Sequence, residues 1–419
     1  MFHQRTARGL FRVVATSLCV ARHHAAADTT PPVARAPCFG RVRERHCPTP
    51  PCAKRIAFRS GALARLARQR GQIEKSSERI WRQASSAVES HREVHEVPRL
   101  TQLVLLIDVP IMPIMFFIAG YFALPALKKR GARQFLQDKA VRVGAPWVLG
   151  ALLLAPPTAY IIYWSRGVPK SLWEFWASDF WSPQMFQQSV YWFLGILMLL
   201  FALLAWAYEI SPRLRAAAPL PSPVAWRALG VFGALVTAIF LLVNLTFPID
   251  AWSHNYLFVY QPVRAPLYLG YFSLGVYAYL RGWFTAAGFN PRAGPWGAAA
   301  LLTGLGYLAC RMTPGTEPML FVTTGVLFNA FCLSALMASV ALFQRFVNGT
   351  GRFWRSQAAN SYGIYYVHPL ILYPLAYLLV GVELPVGVKA LLLIVSTALL
   401  AWGVSALVLR RTPLLSNMF

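Results

Sequence analysis

From Thr101 onward the chain is a succession of apolar runs, each near the length a helix needs to cross a lipid bilayer. A hydrocarbon core about 30 Å thick takes about 20 helical residues. Runs of this kind occupy residues 102–124, 143–164, 189–209, 228–247, 262–280, 296–311, 318–341, 359–380 and 385–409, the sixth being the shortest. None alternates apolar and polar residues as a lipid-exposed barrel strand would, and open sheet edges cannot be satisfied in lipid. The nine runs therefore predict an all-α fold, a polytopic transmembrane helix bundle. The composition agrees, with 57% hydrophobic and 13% charged residues against roughly 25% charged in soluble domains.

The formal net charge of +25 invites a nucleic-acid reading, but the placement of the charge argues against it. Residues 1–100 hold 19 Lys/Arg and 7 Asp/Glu. Beyond them the basic residues sit in short patches between apolar runs: Lys128, Lys129, Arg130, Arg133, Lys139 and Arg142; Arg213, Arg215 and Arg227; Arg281 and Arg292; Arg345, Arg352 and Arg355; Arg410 and Arg411. Every second link is basic, the pattern that sets membrane orientation, so these links are expected on the cytoplasmic side. The links 165–188, 248–261, 312–317 and 381–384 are expected outside, and the C-terminal tail, 412–419, inside. The predicted partner is the bilayer and not nucleic acid.

Residues 1–100 read differently. They are Arg-rich, carry proline clusters and have no sustained apolar run. That composition predicts a basic, poorly ordered extension ahead of a transmembrane domain over 101–411. Residues 60–95 are the one stretch that could form a polar, basic helix. Cys19, Cys38, Cys47 and Cys52 lie here, and His46 with Cys47 and Cys52 fits no standard zinc spacing, so no metal site is expected. Nine spans with a cytoplasmic C-terminus place this basic extension outside, against the charge rule. Either the basic tail is translocated, or a span is missing upstream of Thr101, and the second reading fits the charge rule better.

Ionisable residues inside lipid are functional candidates by default. His368 lies within the eighth run, in the polar stretch Asn360-Ser361-Tyr362-Gly363-Ile364-Tyr365-Tyr366-Val367-His368-Pro369. A catalytic imidazole and a structural one both fit it. On the outer side lie Asp108, Asp250, His254 and Arg264. Asp108 precedes Pro110 and Pro113, which are expected to kink the first run. Asp250 and His254 are four residues apart, a spacing at which a carboxylate can orient an imidazole as a general base; an exposed loop pair without chemistry is the competing reading. Arg264 opens the fifth run, about 26 Å along the helix from Arg281, where an acceptor could meet it. On the inner side Lys139 and Arg142 stand one helical turn apart, able to grip the phosphates of a donor or simply to anchor the helix. No P-loop, nucleophile elbow, HExxH or dinucleotide fingerprint is present.

Five segments together resemble the membrane acyltransferase 3 family. Met112-Pro113-Ile114-Met115-Phe116-Phe117-Ile118-Ala119-Gly120-Tyr121-Phe122 is similar to its MPxFFxxSGxF segment. Phe135 to Trp147 is similar to its FLxxRxxRxxxPW stretch, with Lys139 in place of the first Arg. Tyr191-Trp192-Phe193-Leu194 resembles its WFL helix start, and Tyr271 to Trp283 its FxLGxxAxxRGW. Ser361 to Pro369 matches SYxIYxxHP. The subgroup most alike succinylates osmoregulated periplasmic glucans in the bacterial inner membrane. The resemblance implies an O-acyltransferase, with an acyl-CoA-like co-substrate on the cytoplasmic side and a glycan or other hydroxyl acceptor outside. It also implies a first span bearing a basic residue and, about eleven positions on, a histidine. No such span is recognisable, since His91 and His95 lie in a hydrophilic stretch, so an active and an inactive chain as written are both open readings. The rival class is a multi-pass transporter or exporter of a glycan or anionic lipid, though no internal repeat supports it. A non-catalytic membrane scaffold is the third.

Overall fold

The computed structural model describes residues 97–419 apart from 168–169, 184, 316, 348–350, 381, 417 and 419. The expectations for the N-terminal extension, including the helix over 60–95, its four cysteines, His46, His91 and His95, lie outside the described residues.

Among the described residues, nine long helices cover the nine apolar runs. They are α1 (Val97–Arg130), α2 (Ala132–Trp164), α3 (Ser189–Ile210), α4 (Trp226–Asn244), α5 (Ala265–Leu280), α6 (Ala293–Met312), α7 (Pro318–Phe346), α8 (Arg352–Leu378) and α9 (Val386–Leu409). Six of them, α1 to α4, α7 and α9, are long and apolar enough to cross a membrane by length and composition alone. The other three fall short in length or hydropathy, α5 having 16 residues. Strand structure among the described residues is a two-stranded ribbon, β1 (Ser253–His254) against β2 (Val259–Tyr260). The fold is thus an all-α helical membrane protein.

The surface supports this reading. Leu103, Phe122, Val231, Leu242, Leu302, Met319 and Ile394 are large, apolar and exposed, on faces turned away from an aromatic-rich interior of Phe116, Trp192, Tyr268, Tyr271 and Phe328. Water would not tolerate so extensive an apolar surface, whereas hydrocarbon matches it.

The links gather in two sets. Lys128 of the first basic link donates to the carbonyls of Arg215 (3.3 Å) and Ala217 in the second. The amides of Leu220 and Ser222 donate to the carbonyls of Leu280 and Arg281 at 2.8 and 3.1 Å, joining that link to the third. The links poor in Lys/Arg meet each other instead: Tyr256 donates to the carbonyl of Trp181 at 2.7 Å, and Gln188 Nε2 to that of Leu257 at 3.0 Å. Alternating links therefore join alternating neighbours, as an up-and-down bundle requires.

Glycine lets α1 and α5 cross at backbone distance. A Cβ on Gly120 would sit 2.0 Å from the Phe272 carbonyl oxygen, and one on Gly275 would sit 2.1 Å from that of Phe117. Small residues at a crossing admit this approach where lipid supplies no hydrophobic drive between helices. Two of the family-like segments are thereby each other's packing surface. Tyr121 closes the contact by donating to the carbonyl of buried Trp283 at 3.0 Å.

The prolines of α1 do not interrupt it; the helix runs on through Pro110, Pro113 and Pro125. Pro113 has no amide proton for the Val109 carbonyl one turn back. The Cys332 thiol of α7 lies 3.5 Å from that oxygen and takes up the freed acceptor.

Candidate active site

The remaining three family-like segments converge around α8. Each contact is a tyrosine hydroxyl donating to a backbone carbonyl. Tyr362 donates to Arg142 at 2.8 Å, Tyr365 to Val190 at 2.5 Å, and Tyr191 to Tyr366 at 2.8 Å. Tyr191 is fully buried, with its ring 5.1 Å from that of Tyr366. Gly150 of α2 clears the space for it, since a Cβ there would lie 2.5 Å from the Tyr191 ring. Trp147 packs on Gly195 and donates from Nε1 to Gln188 at 3.1 Å. At the far side of α8, Ser405 of α9 donates to Asn360 Oδ1 at 3.0 Å, tying down the polar start of the segment.

His368 is half-buried at this junction. Its Nδ1 lies 2.7 Å from the Tyr365 carbonyl oxygen, and its ring centroid is 6.1 Å from that of Tyr365. It stands six residues beyond Tyr362, about 9 Å further along α8 from the level of Arg142.

Residues Ala140–Gly144 form a π turn, which holds more residues per turn than an α-helix, and Lys139 and Arg142 still lie near enough to repel one another. Lys139 lies 4.5 Å from the ring centre of Phe201 and 5.5 Å from that of Phe135, a cation–π seat between α2 and α3. Arg142 is exposed. A sequence pattern carries no mark for a π turn, nor for the aromatic faces on which the Lys139 ammonium rests beside the exposed Arg142.

Two residues that the sequence reading expects on the outer side come together. Asp108 of α1 and Arg264, at the entry to α5, form an ion pair at 2.9 Å. Arg264 is 6% exposed, while about half of the Asp108 side chain is open. The guanidinium lies 5.6 Å from the Phe328 ring centre, and its Nε has no hydrogen-bond partner.

Asp250 pairs with Arg311 at the end of α6. His254 is exposed in β1, opposite Val259. The intervening chain forms a ribbon with an Asx turn, Asn255 Oδ1 accepting from the amides of Leu257 and Phe258. That turn sends residue 254 into a strand, where helical i, i+4 spacing no longer applies. Arg311 was invisible as a partner because it lies at the end of another helix.

Tyr191, Tyr362 and Tyr365 lie within the family-like segments, but nothing in those segments gave them an anchoring role.

Comparison with known proteins agrees with this assembly of segments. A family profile described as an acyltransferase domain matches residues 88–410. No curated protein and no solved structure matches the chain. The match spans every long helix described above, and on it the chain belongs to the membrane acyltransferase 3 family.

Proposed function

We propose that the protein transfers an acyl group from a thioester donor, acyl-CoA-like and cytoplasmic, to a hydroxyl of an extracytoplasmic glycan, with His368 as the general base. The bilayer is then the bacterial inner membrane, with the basic links and the C-terminal tail inside. The observation that carries this reading is the convergence on α8. α8 carries the half-buried imidazole of His368, and its Tyr362 hydroxyl donates to the backbone of the exposed Arg142 at 2.8 Å, six residues or about 9 Å along the helix from His368.

In this reading Arg142 holds a donor phosphate, and Lys139 adds positive potential from its seat on Phe135 and Phe201. The acceptor hydroxyl gives its proton to the His368 imidazole as its oxygen bonds to the thioester carbonyl carbon. The carbon–sulfur bond then breaks, and the imidazolium returns the proton to the departing thiolate. Asp108 and Arg264 offer the acceptor a partly open carboxylate beside a buried cation. Succinyl transfer to a glucan is the specific case the family-like segments suggest.

The test uses the full chain in membranes, with a labelled acyl thioester and candidate glycans. Label is expected on the glycan, and His368→Gln is expected to lower the rate by at least about 100-fold, the lower end for losing a general base. Glycan movement across the membrane without acylation would instead make the protein an exporter. Full activity in His368→Gln would remove the base. Arg142→Ala is expected to raise the donor KM about tenfold, the loss of one charge-assisted hydrogen bond, with acceptor KM unchanged. An unaltered donor KM would place the phosphates elsewhere.

A further inference from the structure

We infer that Pro369 fixes the tautomer of His368, holding the proton on Nδ1 and leaving Nε2 as the basic nitrogen. In a continuous α-helix each carbonyl accepts from the amide four residues ahead. α8 continues from Arg352 to Leu378 through Pro369. The residue four ahead of Tyr365 is Pro369, which has no amide proton. The Tyr365 carbonyl is thus left without its helical donor, in a segment where water is scarce and an unsatisfied carbonyl is costly.

His368 Nδ1 sits 2.7 Å from that oxygen. A carbonyl oxygen only accepts, so the nitrogen facing it carries the hydrogen. A neutral imidazole has one N–H, and Nε2 therefore carries the lone pair. Two neighbours keep the ring there. Tyr365 is anchored through its hydroxyl to Val190, and the Tyr366 carbonyl is occupied by Tyr191. The same device recurs at Pro113 of α1, where the freed Val109 carbonyl draws in the Cys332 thiol. Pro369 is a positioning residue acting through His368, and its catalytic consequence rests on the base role proposed above; the tautomer itself does not.

The experiment is 15N NMR of the histidine-labelled full chain in detergent micelles, above the pH at which the imidazole titrates. His368→Gln identifies the signal by its disappearance. The unmutated protein is expected to show His368 protonated on Nδ1. Pro369→Ala restores an amide to the Tyr365 carbonyl, and is expected to shift the tautomer ratio toward Nε2–H about fivefold, the equivalent of one net hydrogen bond. In that variant kcat is expected to fall by a similar factor, with both KM values unchanged. An Nε2–H signal in the unmutated protein overturns the inference, and this reading needs no variant to fold. An unchanged ratio in a folded Pro369→Ala protein overturns it equally. If the Nδ1–H form is found but His368→Gln keeps its activity, the base role falls and the tautomer assignment stands.

Discussion

Gly120→Leu is expected to yield no folded protein from the membrane fraction, and Gly120→Ala to lower stability by about 3 kcal/mol, the upper part of the usual range for overpacking a core. The alanine methyl would lie 2.0 Å from the Phe272 carbonyl oxygen, 2.8 Å from its carbon and 3.1 Å from its Cα. All three are backbone atoms of α5, so no side chain can swing aside and the helix itself must move. Gly275→Ala meets the same obstacle from the other side, 2.1 Å from the Phe117 oxygen and 2.7 Å from the Tyr121 nitrogen. Gly230→Ala supplies the control. It lies within α4 with nothing within 4 Å of the added atom, so the substitution is expected to be neutral or to stabilise the helix by up to about 1 kcal/mol. Gly150→Ala and Gly195→Ala should fall between, because the atoms they meet belong to the Tyr191 and Trp147 rings. Unfolding of the detergent-solubilised variants, with the monodisperse fraction as a second readout, ranks them. A Gly120→Ala protein as stable as Gly230→Ala would refute the close crossing of α1 and α5.

That ranking depends on contacts the linear sequence conveys unevenly. The helices were legible because a long apolar run has one backbone solution in lipid: it must satisfy its own amides and carbonyls. All nine runs are helical. Their ends were less clear. α1 begins at Val97, and α2 already at Ala132, because the polar turn Ala132–Lys139 stays helical as Phe135 buries against Phe201. The family-like segments named the right residues without saying what each does. Gly120 and Gly275 prove to be packing partners, and Tyr362 and Tyr365 anchor α8 to distant carbonyls. Long-range pairing was the part that stayed hidden. Asp108 and Arg264 stood out singly as outer-side ions, yet 156 residues separate them, and no spacing rule reaches that far. Asp250 shows the same limit, since its partner Arg311 lies 61 residues away. The π turn at Ala140–Gly144 belongs with these, since it alters the winding around Arg142 while leaving hydrophobicity and length unaltered.

The Asp108–Arg264 pair is expected to be strongly asymmetric under mutation. Asp108→Asn should cost about 3 kcal/mol, the lower end for removing one partner of a buried pair, because the Asp108 side chain is half open while Arg264 is 6% exposed. The loss leaves a guanidinium inside the bundle without its counter-ion. Its Nε already lacks a partner, and the neighbouring Tyr268 hydroxyl and Asn329 Oδ1 lack partners as well. A Phe328 ring 5.6 Å away gives it about 1–2 kcal/mol of cation–π attraction at most, which does not replace a carboxylate. Arg264→Leu removes the buried charge itself and leaves a carboxylate that solvent or lipid headgroups can reach, so about 1 kcal/mol is expected there. The double variant Asp108→Asn with Arg264→Leu should then be more stable than Asp108→Asn alone, since the second change removes the cation that the first left stranded. Two independent surface sites would instead add their losses. Equilibrium unfolding of the four proteins in one detergent measures the cycle. Additive losses, or an Arg264→Leu protein less stable than Asp108→Asn, would show that the bundle does not depend on neutralising Arg264. A recovered double variant would establish that the carboxylate on α1 exists, in structural terms, to keep a cation at the mouth of α5.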